Sequence, residues 1–190
     1  MTEAPSTLVM FAHPALERAR LGPAMAEVAA AAPGVVFRDL YELYPDFTID
    51  VAAEQAAVRS ARALVLQFPF YWYSTPALMK EWLDLVLTHG FAYGARGRAL
   101  EGKLFACAIT TGGPQDPDPA NTDERFGVED YLRPLQQTAR LCGMRWKKPF
   151  VVHGSTPNRS SVFAGSGSWG PPVVIAQAKS LPSRALPRAP

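Results

Sequence analysis

The chain has 190 residues, 48% of them hydrophobic, with 19 Lys and Arg against 17 Asp and Glu for a formal charge of +2. That length and apolar content suit one domain with a substantial core and exclude a wholly disordered chain. The slight basicity is confined to the end. Residues 155–190 hold four bases (Arg159, Lys179, Arg184, Arg188) and no acid, which leaves 15 bases against 17 acids in residues 1–154. The body therefore has no broad basic surface, and nucleic acid is not an expected partner.

Short apolar runs alternate with helix-period segments along the chain. Leu8–Ala12 reads as a buried strand ending at His13-Pro14, followed by an Ala-rich helix over Leu16–Ala32 that stops at Pro33-Gly34. Val35–Phe37 reads as a second strand, Val51–Ser60 as a helix and Ala63–Phe68 as a third strand. Thr75 is placed to cap the next helix and Pro76 to open it, with Leu78, Trp82, Leu85 and Val86 on one face. Lys103–Ile109 is a fourth strand, Glu129–Cys142 a helix and Phe150–Val152 a fifth strand. Strands alternating with helices predict an α/β three-layer sandwich around a five-stranded parallel sheet, strand order 2-1-3-4-5.

The domain boundary falls near Gly154. Residues 155–190 carry six prolines, seven serines and three glycines, a composition that predicts a weakly ordered tail. Cys107 lies in an apolar run and Cys142 at the end of a helical pattern, so both are expected as buried free thiols. Met1–Thr7 lacks the basic-then-apolar order of a signal peptide, and no apolar run reaches the length of a bilayer span. A cytoplasmic location is expected.

In a sheet of this kind ligands gather beyond the carboxyl ends of the strands, so the loops there carry the function. The first runs from His13 through Arg18, Ala19, Arg20 and Leu21 to Gly22 and leads into a helix N-terminus, a setting suited to phosphate. No GxGxxG or GxxxxGK[ST] motif is present, and His13 alone also fits a structural role. The loop after the third strand, Pro69-Phe70-Tyr71-Trp72-Tyr73-Ser74, is dense in aromatics that either wall a flat ring or enter the core. The loop after the fourth, Thr110-Thr111-Gly112-Gly113, combines hydroxyls with backbone that a ligand can approach closely, although TTGG is also a common turn. A phosphate-like loop, an aromatic loop and a donor-rich loop together describe a flavin site.

The chain resembles the flavodoxin-like NAD(P)H:quinone oxidoreductases. It is most similar to the ancillary quinone reductases of bacterial glutathione-gated potassium-efflux systems. The resemblance rests on Phe11–Pro14, Leu40–Asp50 (LYELYPDFTID), Ala52–Gln55, Gln67–Pro69, Trp72–Ser74, Lys80–Asp84, His89–Gly94 (HGFAYG), Leu100–Lys103 and Thr110–Gly113. It implies FMN or FAD as cofactor, NAD(P)H as donor, a quinone-like acceptor and a homodimer, with hydride passing through flavin N5 in a ping-pong sequence. It also implies an added role at the inner face of the cell membrane, docked on the cytoplasmic domains of a potassium-efflux transporter.

Carried over residue by residue, His13 lies at the phosphate or ribityl end, Pro69, Phe70, Tyr71 and Trp72 against the isoalloxazine, and Thr110–Gly113 at its pyrimidine side. Phe91, Ala92 and Tyr93 face the partner's pocket, although Tyr93 also fits dimer packing. Trp72 and Tyr93 are then the side chains nearest the chemistry. The chain departs from the family's HPxxxxSxxN pattern at Ala19 and Gly22, where Ser and Asn are expected. Arg18, Arg20 and backbone N–H groups are the available replacements, and restoring Ser and Asn is expected to tighten binding. Residues 114–125 lack the Tyr or His that relatives place over the flavin, and the tail lacks their final amphipathic helix. The competing reading is a regulatory or degenerate member with weakened or lost flavin binding.

Overall fold

The computed structural model describes residues 7–19, 21–113 and 126–154; the segment 114–125 and the tail 155–190 lie outside the described residues. The strands are β1 (Thr7–Phe11), β2 (Val35–Asp39), β3 (Ala63–Pro69), β4 (Leu104–Thr110), β5 (Arg145–Trp146) and β6 (Phe150–Val152). The helices are α1 (Leu21–Ala30), α2 (Leu40–Leu43), α3 (Val51–Ser60), α4 (Ala77–Val86), α5 (Val128–Tyr131) and α6 (Arg133–Leu141). All pairings are parallel, in the order β2-β1-β3-β4-β5, and β6 also pairs with β4. β5 meets Leu104–Phe105 and β6 meets Ala108–Thr110, so together they form one edge strand interrupted by Lys147-Lys148-Pro149. The expected fifth strand is the second half of that edge.

Every residue of β1, β3 and β4 is buried, as central parallel strands covered on both faces require. One face sets Leu8, Met10, Leu66, Phe68, Phe105 and Ile109 against α3, α4 and α6. The other sets Val9, Val65, Ala106 and Ala108 against Met25 and Ala29 of α1. Cys107 and Cys142 are buried free thiols, and desolvation raises the pKa of each.

Four local expectations are corrected. The helix expected over Leu16–Ala32 divides into a 3-10 turn at Leu16–Arg18 and α1, which leaves Ala19 outside the helix and Gly22 in its first turn. The helix expected over Glu129–Cys142 breaks at Leu132 and restarts at Arg133, with Pro134, which has no N–H to donate, in the new first turn. Pro76, not Thr75, occupies the N-cap of α4, and no side chain caps it. Leu85 is exposed because the buried stripe of α4 is centred on Met79, Trp82 and Val86, and Leu85 falls at its edge. A further helix, α2, forms because the Asp39 carboxylate accepts from the Tyr41 and Glu42 N–H groups.

The most connected polar group in the core is the carboxylate of Glu54 on α3, whose side chain is fully buried. Oε1 accepts from Arg38 Nε at 2.8 Å, Arg38 Nη2 at 2.5 Å and the Tyr44 hydroxyl at 2.6 Å; Oε2 accepts from Trp82 Nε1 at 2.9 Å. Replacing Glu54 with Ala strands these donors beside a half-paired arginine and is expected to cost about 3–5 kcal/mol, read as a lower urea midpoint. Glu54→Gln keeps one acceptor and is expected to lose less.

Candidate active site

The strand order reverses at β1, which pairs with β2 on one side and β3 on the other, so the crevice of the sheet opens between the carboxyl ends of β1 and β3. His13, two residues beyond β1, is 7% exposed. Its Nδ1 accepts from the Ala15 N–H at 3.2 Å, so the neutral ring carries its hydrogen on Nε2. Desolvation lowers the pKa of His13 from its ordinary 6.5, against smaller opposing contributions from a backbone contact, Asp39 and Glu17. Its neighbours are the rings of Phe11 and Tyr71, the latter edge-on at 6.0 Å.

That contact joins the first loop to the aromatic one. Tyr71 and Ser74 pair as an isolated antiparallel bridge, with the Ser74 N–H donating to the Tyr71 carbonyl at 3.0 Å. Trp72 (φ 47°) and Tyr73 (φ 62°) form the tip, both in the left-handed region that a type I′ hairpin turn demands and that aromatic residues avoid. Tyr73 is held by stacking on Tyr131 at 4.8 Å, and Phe70 lies edge-on to both. Trp72 is 92% exposed. Strain is thus kept at a tip whose largest side chain stands in solvent.

Pro69 pairs with Thr110 at the ends of β3 and β4, and the Phe70 N–H donates to the Thr110 carbonyl at 2.8 Å. In the TTGG loop the Thr111 N–H donates to the Val152 carbonyl, and its hydroxyl lies 3.2 Å from the Gly113 carbonyl and 3.3 Å from His153 Nδ1. Its hydroxyl therefore ties the turn to the segment after β6. Thr110 lines a crevice shared with His13, Gly22, Gln67 and Pro69, too tight to admit a water molecule. Gln67 Nε2 is buried there with no hydrogen-bond partner among the described residues. The donor's chemistry suits an acceptor-rich ligand such as a flavin, but the crevice as it stands is closed to one.

The expected site residues divide as follows. His13, Gly22, Pro69, Phe70, Tyr71, Trp72 and Thr110 gather around one edge with Gly112 and Gly113 beside them, and Ala19 and Leu21 enter on the approach to α1. Arg20 lies outside the described residues, and only the backbone of Arg18 is described. Phe91 and Ala92 do not face outward: both are buried in the chain's own core, Phe91 with the Arg59 guanidinium 4.7 Å from its ring centre. Tyr93 is half-buried against His89 in a knot closed at Gly94, whose φ is 88° and where a Cβ would lie 2.5 Å from His89 Nε2. It lines a groove of about 340 Å³ between α4 and α6 that begins at Ser74 and also meets Tyr131.

Two contributors escape a reading of the sequence. Gln67 is the one polar residue in the run Ala63–Phe68, a signal that was available. Tyr131 gives none, because only the fold brings α5 to the hairpin.

A family model described as the flavodoxin-like fold matches residues 5–164. The chain belongs to this family. The match extends past Gly154. The chain is 47% identical over 146 residues to the glutathione-regulated potassium-efflux system ancillary protein KefF of Klebsiella aerogenes, covering 77% of this chain and 81% of that one. Among solved structures it is similar to general stress protein 14 from Treponema denticola in complex with FMN, with TM-score 0.74 and 37% identity over 78% of this chain and 86% of that one. An NADPH-quinone reductase from P. pentosaceus superposes with TM-score 0.70 and 32% identity, covering 78% and 85%.

Because the pKa of His13 is lower folded than unfolded, its contribution to stability is complete above pH 6.5 and is lost as the pH falls below that value. Urea midpoints between pH 8 and pH 5 should fall, and less steeply for His13→Gln. At the hairpin tip, Trp72→Gly should be more stable than Trp72→Ala by about 1 kcal/mol, since glycine accepts the positive φ. Equal urea midpoints for the two variants would contradict a strained tip.

Proposed function

We propose that this protein is a flavin-dependent NAD(P)H oxidoreductase that reduces quinones or similar acceptors. The observation that carries the reading is the strained aromatic hairpin, with Trp72 exposed at its tip and Tyr71 edge-on to a neutral His13 at the crevice of a flavodoxin-like sheet. The FMN bound by the Treponema denticola relative and the quinone-reductase name of the P. pentosaceus one support the same chemistry.

His13 Nε2–H and the backbone N–H groups at the start of α1 would hold the phosphate end. Pro69, Phe70, Tyr71 and Trp72 would give the ring system an apolar wall, while Thr110 and the Gly112-Gly113 backbone would stand along its polar edge. Gln67 would supply a donor once the crevice opened to the ligand. A bound FMN or FAD would supply two-electron transfer, oxidising NAD(P)H to NAD(P)⁺ and reducing the quinone to its hydroquinone. Tyr93, which lines the groove that begins at Ser74, would meet a second copy of the chain or the exchanging donor and acceptor. No side chain is needed as a nucleophile.

The likeness to KefF favours an added role in which a homodimer docks on the cytoplasmic domains of a potassium-efflux transporter at the inner membrane face. Among the described residues no helix is long and apolar enough to cross a membrane, so attachment would run through the transporter. Co-purification with such a transporter supports this role, and its absence leaves a free-standing reductase.

The purified protein should quench the fluorescence of added FMN or FAD and oxidise NAD(P)H when a soluble quinone is present. Trp72→Gly should bind flavin about tenfold more weakly through lost stacking area. A protein that takes up neither flavin defeats the proposal in favour of a regulatory member without cofactor.

A further inference from the structure

Gly22 is buried and helical, the second residue of α1. A glycine inside a helix is less favourable than alanine, and neither a turn nor a positive φ accounts for this one, since Gly22 is absent from the positive-φ residues. Space does account for it. A Cβ at position 22 would lie 2.9 Å from His13 Cδ2 and 3.4 Å from His13 Nε2, with the Ala19 Cβ at 3.8 Å on another side. The imidazole has little room to retreat. Its Nδ1 is tied to the Ala15 N–H, and the rings of Phe11 and Tyr71 flank it. An asparagine here would bring its Cβ against that ring, which sets a steric cost against the tighter binding expected from restoring Asn at 22.

We infer that Gly22 is a positioning residue that seats His13: the missing side chain lets the imidazole rest on the first turn of α1. That holds Nε2–H as a fixed donor where the phosphate of a flavin would arrive. The ring thereby replaces side-chain donors that Ala19 and Gly22 do not supply, and the site selects phosphorylated flavin over the dephosphorylated form. The inference rests on the flavin reading above and deepens it.

The test uses the intact protein as wild type, Gly22→Ala, His13→Ala and the double variant. Affinities for FMN and for riboflavin, which lacks the phosphate, are measured by fluorescence quenching. The His13 ring is followed by NMR in the protein without flavin. Gly22→Ala should weaken FMN binding about tenfold, the scale of one hydrogen bond to a charged group, and leave riboflavin within about twofold. In the His13→Ala background the same change should alter FMN affinity by less than about twofold. The His13 ring signals should shift and its pKa should move back toward 6.5.

Equal losses for both ligands, the same cost in both backgrounds or unmoved ring signals would overturn the inference. If wild type binds neither flavin, the flavin reading fails, and the ring signals still decide whether Gly22 seats His13. If Gly22→Ala alone does not fold, the double variant must fold, because it removes the collision and keeps alanine's helix preference; its failure overturns the inference as well.

Discussion

The Glu54 carboxylate binds together four segments far apart in sequence, and the geometry of the site depends on that tie. Through Arg38 it fixes the end of β2, through Tyr44 the loop after α2, through its own backbone α3, and through Trp82 the middle of α4. A fully buried charge is tolerated because each oxygen is met by a donor, and a satisfied network of this kind specifies one arrangement of the surrounding elements. α4 follows directly from the aromatic hairpin, so the point at which Trp82 is pinned also sets where Tyr71–Ser74 can lie. The family-specific block Leu40–Asp50 owes much of its character to this network and to the caps at Asp39 and Asp50.

From that frame the site is assembled by contacts between loops. Tyr71 leans on His13 from one side of the hairpin, and Tyr73 stacks on Tyr131 from the other, which holds two aromatic residues in a backbone conformation they would leave if freed. Gln55 donates to the Val86 carbonyl and the Thr88 hydroxyl, so α3 also steadies the loop that carries Tyr93. The electrostatics follow the same economy. His13 is kept neutral by desolvation, which makes it a directional donor, while the nearby Asp39 spends its oxygen on the N-terminus of α2.

Much of the fold was legible because parallel strands buried on both faces read as unbroken apolar runs. Ala63–Phe68 and Lys103–Ile109 each came within a residue or two of the observed strand. What sequence pattern missed were events decided by single atoms: the break at Leu132, where proline cannot continue the hydrogen-bond ladder, and the short helix nucleated by the Asp39 carboxylate. At the site the aromatic cluster, His13 and the TTGG loop announced themselves by composition and by position after strands. Phe91 and Ala92 were misplaced because a motif records which residues recur and not which way each points; in this loop they turn inward beneath Arg59.

The sequence by itself determined the α/β alternation, the parallel sheet and the three loops at its carboxyl edge, since these follow from periodicity and from local residue chemistry; the family was legible through the resemblance of its motifs. Only the tertiary structure decided that the Thr111 hydroxyl lies between the Gly113 carbonyl and His153, that Gln67 Nε2 is buried without a partner among the described residues and that Tyr131 stacks on the hairpin. It also recast Gly22. Read along the chain, that glycine is a lost side-chain donor; in the fold it is the space that a histidine nine residues earlier occupies. The physical reason is that a side chain's role depends on what lies within a few ångströms of it, and in the folded chain those neighbours come from other segments.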